Sequence, residues 1–213
     1  FTVHDGTCFK SFNTAQDHKR VLEGDKGKNT GGMGAYSPSR LINDELEKKI
    51  INKIIKPTLQ GLSDLGANYK GFLYTGLMIV DNEPYLIEYN VRMGDPECQT
   101  ILPRLETDIS EIFLACCDEK LNNVNIKWSS KKSLCIVVCS NGYPDKYKKY
   151  IEIKNLDKIN LSEDDYIIHA GTEKKDGRMY SVGGRVLNFI SISDSFSNAK
   201  ENIIKNLNTL DWS

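Results

Sequence analysis

Two apolar, β-prone runs joined by a short polar turn constrain this chain more than anything else in it. Residues 70–80 (Lys-Gly-Phe-Leu-Tyr-Thr-Gly-Leu-Met-Ile-Val) and 84–91 (Pro-Tyr-Leu-Ile-Glu-Tyr-Asn-Val) flank Asp81-Asn82-Glu83 and read as the strands of a hairpin. Side chains two apart on a strand share a face. Glu88 and Asn90 therefore stand in one row, joined by Arg92 if the extended backbone continues that far. A carboxylate and a carboxamide oxygen are hard donors of the kind magnesium shares with phosphates. A guanidinium is a planar fork for carboxylate or phosphate oxygens. Tyr85, Ile87 and Tyr89 alternate with this row and mark the other face as apolar. A solvated strand end shows the same alternation, and Glu-x-Asn alone is too short to decide. Gly94-Asp95-Pro96-Glu97, a turn without a packing rationale, brings the site reading level with the solvated one.

A second segment tips the balance. Five glycines lie between Gly24 and Gly34, interleaved with Asp25, Lys26, Lys28, Asn29 and Thr30. Glycine lets a backbone approach a ligand closely, and consecutive amide N–H groups in such turns make concave anion sites. Lys19, Arg20, Lys26 and Lys28 add positive charge. Neither a P-loop nor a dinucleotide fingerprint is present. A mobile linker is the plain alternative, but Met33, Ala35 and Tyr36 are unusual in one.

Six segments in order carry a resemblance: Gln16-Asp17-His18-Lys19-Arg20; Asn29-Thr30-Gly31-Gly32-Met33-Gly34-Ala35-Tyr36-Ser37-Pro38; Gly71-Phe72-Leu73-Tyr74-Thr75-Gly76-Leu77-Met78; Glu88 through Glu97; His169-Ala170-Gly171-Thr172; and Gly183-Gly184-Arg185-Val186-Leu187. With these the chain resembles the phosphoribosylamine–glycine ligase (glycinamide ribonucleotide synthetase) family of the ATP-grasp superfamily, over nearly its whole length. The resemblance implies an α+β fold: the second half of an ATP-grasp module (residues 1–124) followed by a small β-rich C-terminal domain (residues 125–213), truncated at its end. It also implies that the first half of the module precedes Phe1, and that these 213 residues alone are inactive.

The implied reaction joins glycine to the amine of 5-phosphoribosylamine while ATP becomes ADP and phosphate, through a glycyl phosphate. Glu88 and Asn90 would bind Mg2+ or Mn2+, and Arg92 would steady the transferred phosphoryl group electrostatically. Asp17, Lys19, Asn29, Gly31, Gly32, Met33 and Gly34, with Gly94 and Asp95, would hold glycine and the ribose phosphate, in a division the sequence leaves open. Lys28 stands where the family usually has proline, and Met93 where it usually has phenylalanine. Gly76-Leu77-Met78 offers no further acid on the preceding strand. Leu22-Glu23-Gly24-Asp25 and Glu97-Cys98-Gln99 hint at relatives fused to other purine-pathway enzymes. Another ATP-grasp carboxylate–amine ligase would share Glu-x-Asn-x-Arg without the Asn29–Tyr36 segment. A non-catalytic interaction module that keeps the fold is the reading from a different class.

Composition narrows the partners. With 28 basic and 29 acidic residues the net charge is −1, so no global field recruits nucleic acid or an anionic membrane. No apolar stretch reaches spanning length, and a cytoplasmic enzyme with small-molecule substrates is expected. The six cysteines lack Cys-x-x-Cys spacing. Cys135 and Cys139 read as core thiols of one strand, and the vicinal Cys116-Cys117 as packing groups. His169 reads as a structural hydrogen-bonding group, and Gly183-Gly184 as a tight turn with Arg185 anchoring a domain contact.

Periodicity predicts helices over 44–65 (capped by Asn43 or Asp44, kinked or ended near Lys56 by Pro57), 107–120 and 194–210. It predicts short strands near 133–139, 151–153, 166–170, 179–182 and 184–191, after an opening hairpin turning at Asp5-Gly6.

Overall fold

A computed structural model describes Phe1–Trp212. In chain order the first strands are β1 (Thr2–Asp5), β2 (Phe9–Ser11), β3 (Gln16–Asp17), β4 (Arg20–Leu22), β5 (Lys26–Asn29) and β6 (Gly34–Ser37). Helices α1 (Asp44–Ile50) and α2 (Lys56–Asp64) follow, then β7 (Lys70–Val80), β8 (Glu83–Asn90), α3 (Glu97–Ile101) and α4 (Ile109–Cys117). The remainder is β9 (Lys132–Cys139), β10 (Ile151–Ile153), β11 (Asp165–His169), β12 (Thr172–Lys175), β13 (Arg178–Ser181), β14 (Arg185–Ser193) and α5 (Phe196–Leu207). Antiparallel sheets with few helices are the α+β organisation expected. Among the described residues no helix is long and apolar enough to cross a membrane.

The chain divides into two compact units that interleave in sequence. One comprises Phe1–Thr14, Pro38–Gly94 and Leu105–Ser129; the other comprises Ala15–Ser37, Asp95–Arg104 and Ser130–Ser213. The consecutive division at 124/125 cuts the chain differently, because it follows sequence order whereas the glycine-rich segment and residues 95–104 pack with the C-terminal strands.

The first unit is built on an antiparallel sheet of order β2-β1-β7-β8. Thr2 stands opposite Leu73 on one side and Ser11 on the other. The turn between β1 and β2 forms because the fully buried Asp5 accepts from the amides of Thr7 (2.9 Å) and Cys8 (2.7 Å). Its other oxygen accepts from the Leu121 amide at 3.1 Å. These donors hold the carboxyl well below the usual carboxylate range against the opposing effect of burial. Val3, Phe12, Leu46, Ile54, Ile55, Leu73, Ile112 and Leu121 make the core, and Phe12 meets Phe72 and Trp128 edge-on at 4.7 and 5.1 Å.

Asn43 caps α1 by accepting from the Leu46 amide. The predicted kink at Pro57 takes the form of a π-helical stretch over Ile51–Ile55, with the proline in the first turn of α2. Proline has no N–H to continue the ladder, so a widened turn before it resets the register. The helix predicted to Lys120 closes at Cys117; Ile112 and Cys116 are buried, whereas Phe113 is 45% exposed. Asp108 caps it, accepting from Ser110 N.

The second unit holds a five-stranded antiparallel sheet of order β11-β14-β9-β6-β3. The inner strand β14 is buried along most of its length, with Val186, Leu187, Phe189 and Ile190 in the core beside Ile203 of α5. A three-stranded sheet, β10-β13-β12, and the two-stranded β4-β5 complete it. The glycine-rich segment is therefore a strand-bearing hairpin rather than a loop. Strand β12, of sequence Thr-Glu-Lys-Lys, carries no apolar alternation and escaped prediction for that reason.

Candidate functional site

In the first unit, β8 places Glu88 and Asn90 on one face, and their side chains touch: Asn90 Nδ2 donates to Glu88 Oε1 at 3.2 Å. The strand ends at Asn90, yet Arg92 stays in the row, with Nη2 donating to Asn90 Oδ1 at 3.4 Å and Nη1 to the Met93 carbonyl at 2.9 Å. The three side chains are exposed or half-buried. Gly94 is buried just beyond them.

The opposite face departs from expectation. Tyr85 and Ile87 are 56% and 65% exposed, and only Tyr89 is partly covered, hydrogen-bonded to Thr58. β8 is an edge strand, and a bulge between Gly76 and Leu77 shifts the pairing from Gly76↔Glu88 to Leu77↔Leu86, which leaves Ile87 unpaired. Alternation marked the two faces correctly, but it cannot say which of them is covered.

No cluster of three His, Cys, Asp or Glu exists among the described residues. Two hard oxygens beside an arginine nevertheless fit magnesium, which keeps several waters and takes the rest of its shell from substrate phosphates.

The second unit gathers most of the other predicted residues. β3 pairs with β6 through Asp17↔Ala35, and the intervening chain folds back so that Gly32 lies against Asp17. A Cβ at Gly32 would stand 2.5 Å from the Pro96 ring, 2.9 Å from Asp17 Oδ1 and 3.2 Å from the Asp95 carbonyl, and its φ is +122°. Gly34 begins β6 so close to β9 that a Cβ there would meet the Cys135 carbonyl at 2.6 Å. Both glycines are thus required by close approach of the protein's own chain rather than of a ligand.

The amide donors of this segment are engaged by the protein. Gly31 N–H donates to Tyr143 Oη at 3.1 Å, Gly32 N–H to Thr30 Oγ1 at 3.0 Å and Met33 N–H to the His18 carbonyl at 2.8 Å. The concave anion site inferred from glycine density is consequently not presented by Gly31–Met33. Asp17 contrasts with them. Its side chain is 8% exposed, and Oδ1 has no hydrogen-bond partner among the described residues. Lys19 Nζ lies 3.9 Å from Oδ2, too long for a hydrogen bond. Burial, and then the negative charge of Glu97, push the Asp17 carboxyl up to about 7 despite Lys19 and Arg185. Asn29 closes β5 on an exposed edge opposite Arg20 and is not drawn to Asp17.

Three residues that sequence reasoning left out of the site complete this cluster. Arg185, expected to anchor a domain contact, acts inside one unit: Nη1 donates to the carbonyls of Gly31 (3.0 Å) and Asp95 (2.8 Å), and Nη2 to Asp95 Oδ2 (3.1 Å). Glu97 opens α3 and is 3% exposed. Tyr143 sits in a turn whose neighbour Asp145 binds Lys28 at 2.7 Å. Glu97 was visible in a quoted motif, but nothing local marked it as buried, and Tyr143 had no sequence signal. His169 Nδ1 pairs with Thr172 Oγ1 at 2.9 Å as expected, and all six cysteines are free; Cys135 and Cys116 are buried, but Cys139 is only half-buried and Cys117 is exposed, so neither pair packs wholly in the core.

Residues 1–98 match the family described as Phosphoribosylglycinamide synthetase, ATP-grasp (A) domain, and residues 133–213 match its C domain. The phosphoribosylamine–glycine ligase of Vigna unguiculata is 42% identical over all of this chain, which covers 70% of that protein. The Brucella melitensis enzyme is 39% identical over all of this chain. The solved structure of the Thermotoga maritima enzyme superposes with a TM-score of 0.84 at 32% identity, and this chain covers 52% of it. The chain spans about half the length of most of the relatives it matches: 50% of the Brucella protein and 48% of that from Caldanaerobacter subterraneus.

Proposed function

The chain belongs to the phosphoribosylamine–glycine ligase family, and from that premise we propose that the intact protein joins glycine to 5-phosphoribosylamine at the expense of ATP. A glycyl phosphate carries the activated carboxyl between the two steps. The observation that supports this reading most directly is the hydrogen-bonded row of Glu88, Asn90 and Arg92 at the end of β8.

Phosphoryl transfer asks a protein for positioning and for charge placed where charge develops. Glu88 and Asn90 are the residues that would hold Mg2+ or Mn2+, which when bound neutralises charge between the ATP phosphates. Arg92 is the electrostatic partner of the phosphoryl oxygens and, being always charged, serves neither as acid nor as base. Its bond to Asn90 keeps the fork oriented before substrates arrive. Asp17, Lys19, Asn29, Gly31, Gly32, Met33, Gly34, Gly94 and Asp95 bind glycine and the ribose phosphate between them in this proposal. The consecutive division into an ATP-grasp part (1–124) and a β-rich part (125–213), cytoplasmic placement, and fusion to other purine-pathway enzymes belong to the same proposal.

Glycine-dependent ADP release by the intact protein tests the reading. Glu88→Ala should abolish it with the fold retained, and near-normal turnover would remove the metal assignment. Turnover with another amino acid but not glycine would favour a different ATP-grasp ligase.

A further inference from the structure

The sheet of the first unit has a second face, away from the metal row. His4 stands opposite Gly71, whereas Glu88 and Asn90 stand opposite Gly76 and Tyr74, so the pleat sends His4 to the other side. There the β1–β2 turn and α2 border a pocket of about 360 Å³, within the range of small-molecule sites, about 300–1,000 Å³. Its walls include Phe9 and Tyr69, with Leu59 and Leu62 of α2. His4, 1% exposed, is the one buried residue among those lining it and forms its floor. Its Nε2 lies 2.7 Å from Thr2 Oγ1, and that hydroxyl donates to the Leu73 carbonyl at 3.5 Å. Nε2 therefore carries the proton, and Nδ1 is left as a lone-pair acceptor. Phe9 stacks on the ring at 5.7 Å and Tyr69 meets it edge-on at 5.6 Å. Thr2 does not line the pocket, whereas Phe9 and Tyr69 do. Nδ1 has no hydrogen-bond partner among the described residues, and burial, by bringing the ring down to about 4, keeps it neutral at physiological pH. No carboxylate lines the pocket, and its one ionic side chain, Lys56, is exposed and donates to Asn52 Oδ1. A cation would find no counter-charge there, and an anion would have to lose water against apolar walls.

We infer that this pocket binds a small, uncharged, flat molecule with an N–H or O–H donor on its edge, which His4 Nδ1 accepts. The donor supplies the partner that the buried nitrogen lacks. Phe9 and Tyr69 offer aromatic surface to a flat ring, and Leu59 and Leu62 cover its apolar body. The inference goes beyond the ligase proposal and does not rest on it, since no residue of the pocket belongs to the metal row or to the Asp17 segment.

Isothermal titration of the intact protein with indole and with benzofuran tests it. The two have nearly the same shape, but only indole carries a ring N–H. Indole should bind about tenfold more tightly, the worth of one hydrogen bond to an otherwise unpaired group. In protein labelled with 15N-histidine, the His4 Nδ1 resonance should be that of an unprotonated ring nitrogen and should move as indole saturates. His4→Phe should erase the preference for indole over benzofuran. Ala67→Phe, at an exposed position of the lining, should weaken both probes about tenfold by filling the mouth, and it carries the test if thermal unfolding shows His4→Phe misfolded. No binding of indole, equal binding of the two probes, an unmoved Nδ1 resonance, or unchanged binding to Ala67→Phe overturns the inference. So does loss of indole binding in saturating ATP and Mg2+, which would place the probe in a nucleotide site instead.

Discussion

Replacing Asp17 by asparagine removes a carboxyl that the fold holds in its neutral form over most of the acid range. The unfolded chain ionises this group near 3.8, whereas in the folded protein burial and Glu97 push it up to about 7. Between those values the folded state binds the extra proton, so stability falls as pH rises from about 4 to about 7 and levels off above. At ~1.4 kcal/mol for each tenfold change in proton affinity, the ceiling on this loss is about 4 kcal/mol. Local relaxation and water entry reduce the cost of burying a charge in real proteins, and we expect roughly 1–3 kcal/mol. The assay is urea unfolding of wild type and Asp17→Asn at several values between pH 5 and 8. Subtracting one series from the other cancels groups that do not interact with Asp17, and leaves its coupling to Glu97, Lys19 and Arg185. The variant should gain on the wild type by that amount across the interval. A difference that stays flat, or that falls with rising pH, would refute the placement of Asp17 as a buried acid whose ionisation the fold disfavours.

Other outcomes are expected from single groups. His4 is buried with its Nε2 2.7 Å from Thr2 Oγ1, and burial brings it down to about 4. The unfolded state therefore binds the extra proton between pH 6.5 and 4, and stability should drop on acidification through that window; His4→Phe should remove the drop in the same unfolding assay. Gly32→Ala forces a Cβ to 2.5 Å from the Pro96 ring at a φ of +122°, so a loss of about 3 kcal/mol or failure to fold is expected by thermal unfolding. Arg185→Ala leaves three oxygens without their donor, and should cost about 2 kcal/mol and speed amide exchange at Gly31, whereas Val3 in the other unit should be unaffected. Arg92→Lys keeps the charge but loses the planar fork, and should lower kcat for ADP release more than it raises KM for glycine.

Much of the architecture was legible because local pattern controls it. The strand pair 70–80 and 84–91, the Asn43 cap, the apolar run of β14 and the row of Glu88, Asn90 and Arg92 follow from side-chain periodicity and capping chemistry. These are properties of neighbours along the chain. Strand β12 and the hairpin strands β4 and β5 carry no such pattern, and their pairing depends on what lies beside them.

The site divides along the same line. Residue order by itself put Glu88, Asn90 and Arg92 forward as candidate metal and anion groups, because a strand's pleat decides which side chains share a face. Only the tertiary structure decided that the amides of Gly31, Gly32 and Met33 are already bonded, and that Arg185 reaches Asp95 across 90 residues of chain. It also decided that the Asp17 carboxyl is buried and feels the charge of Glu97. Hydrogen-bond partners and desolvation belong to whatever packs against a group, and no local stretch of sequence carries that information.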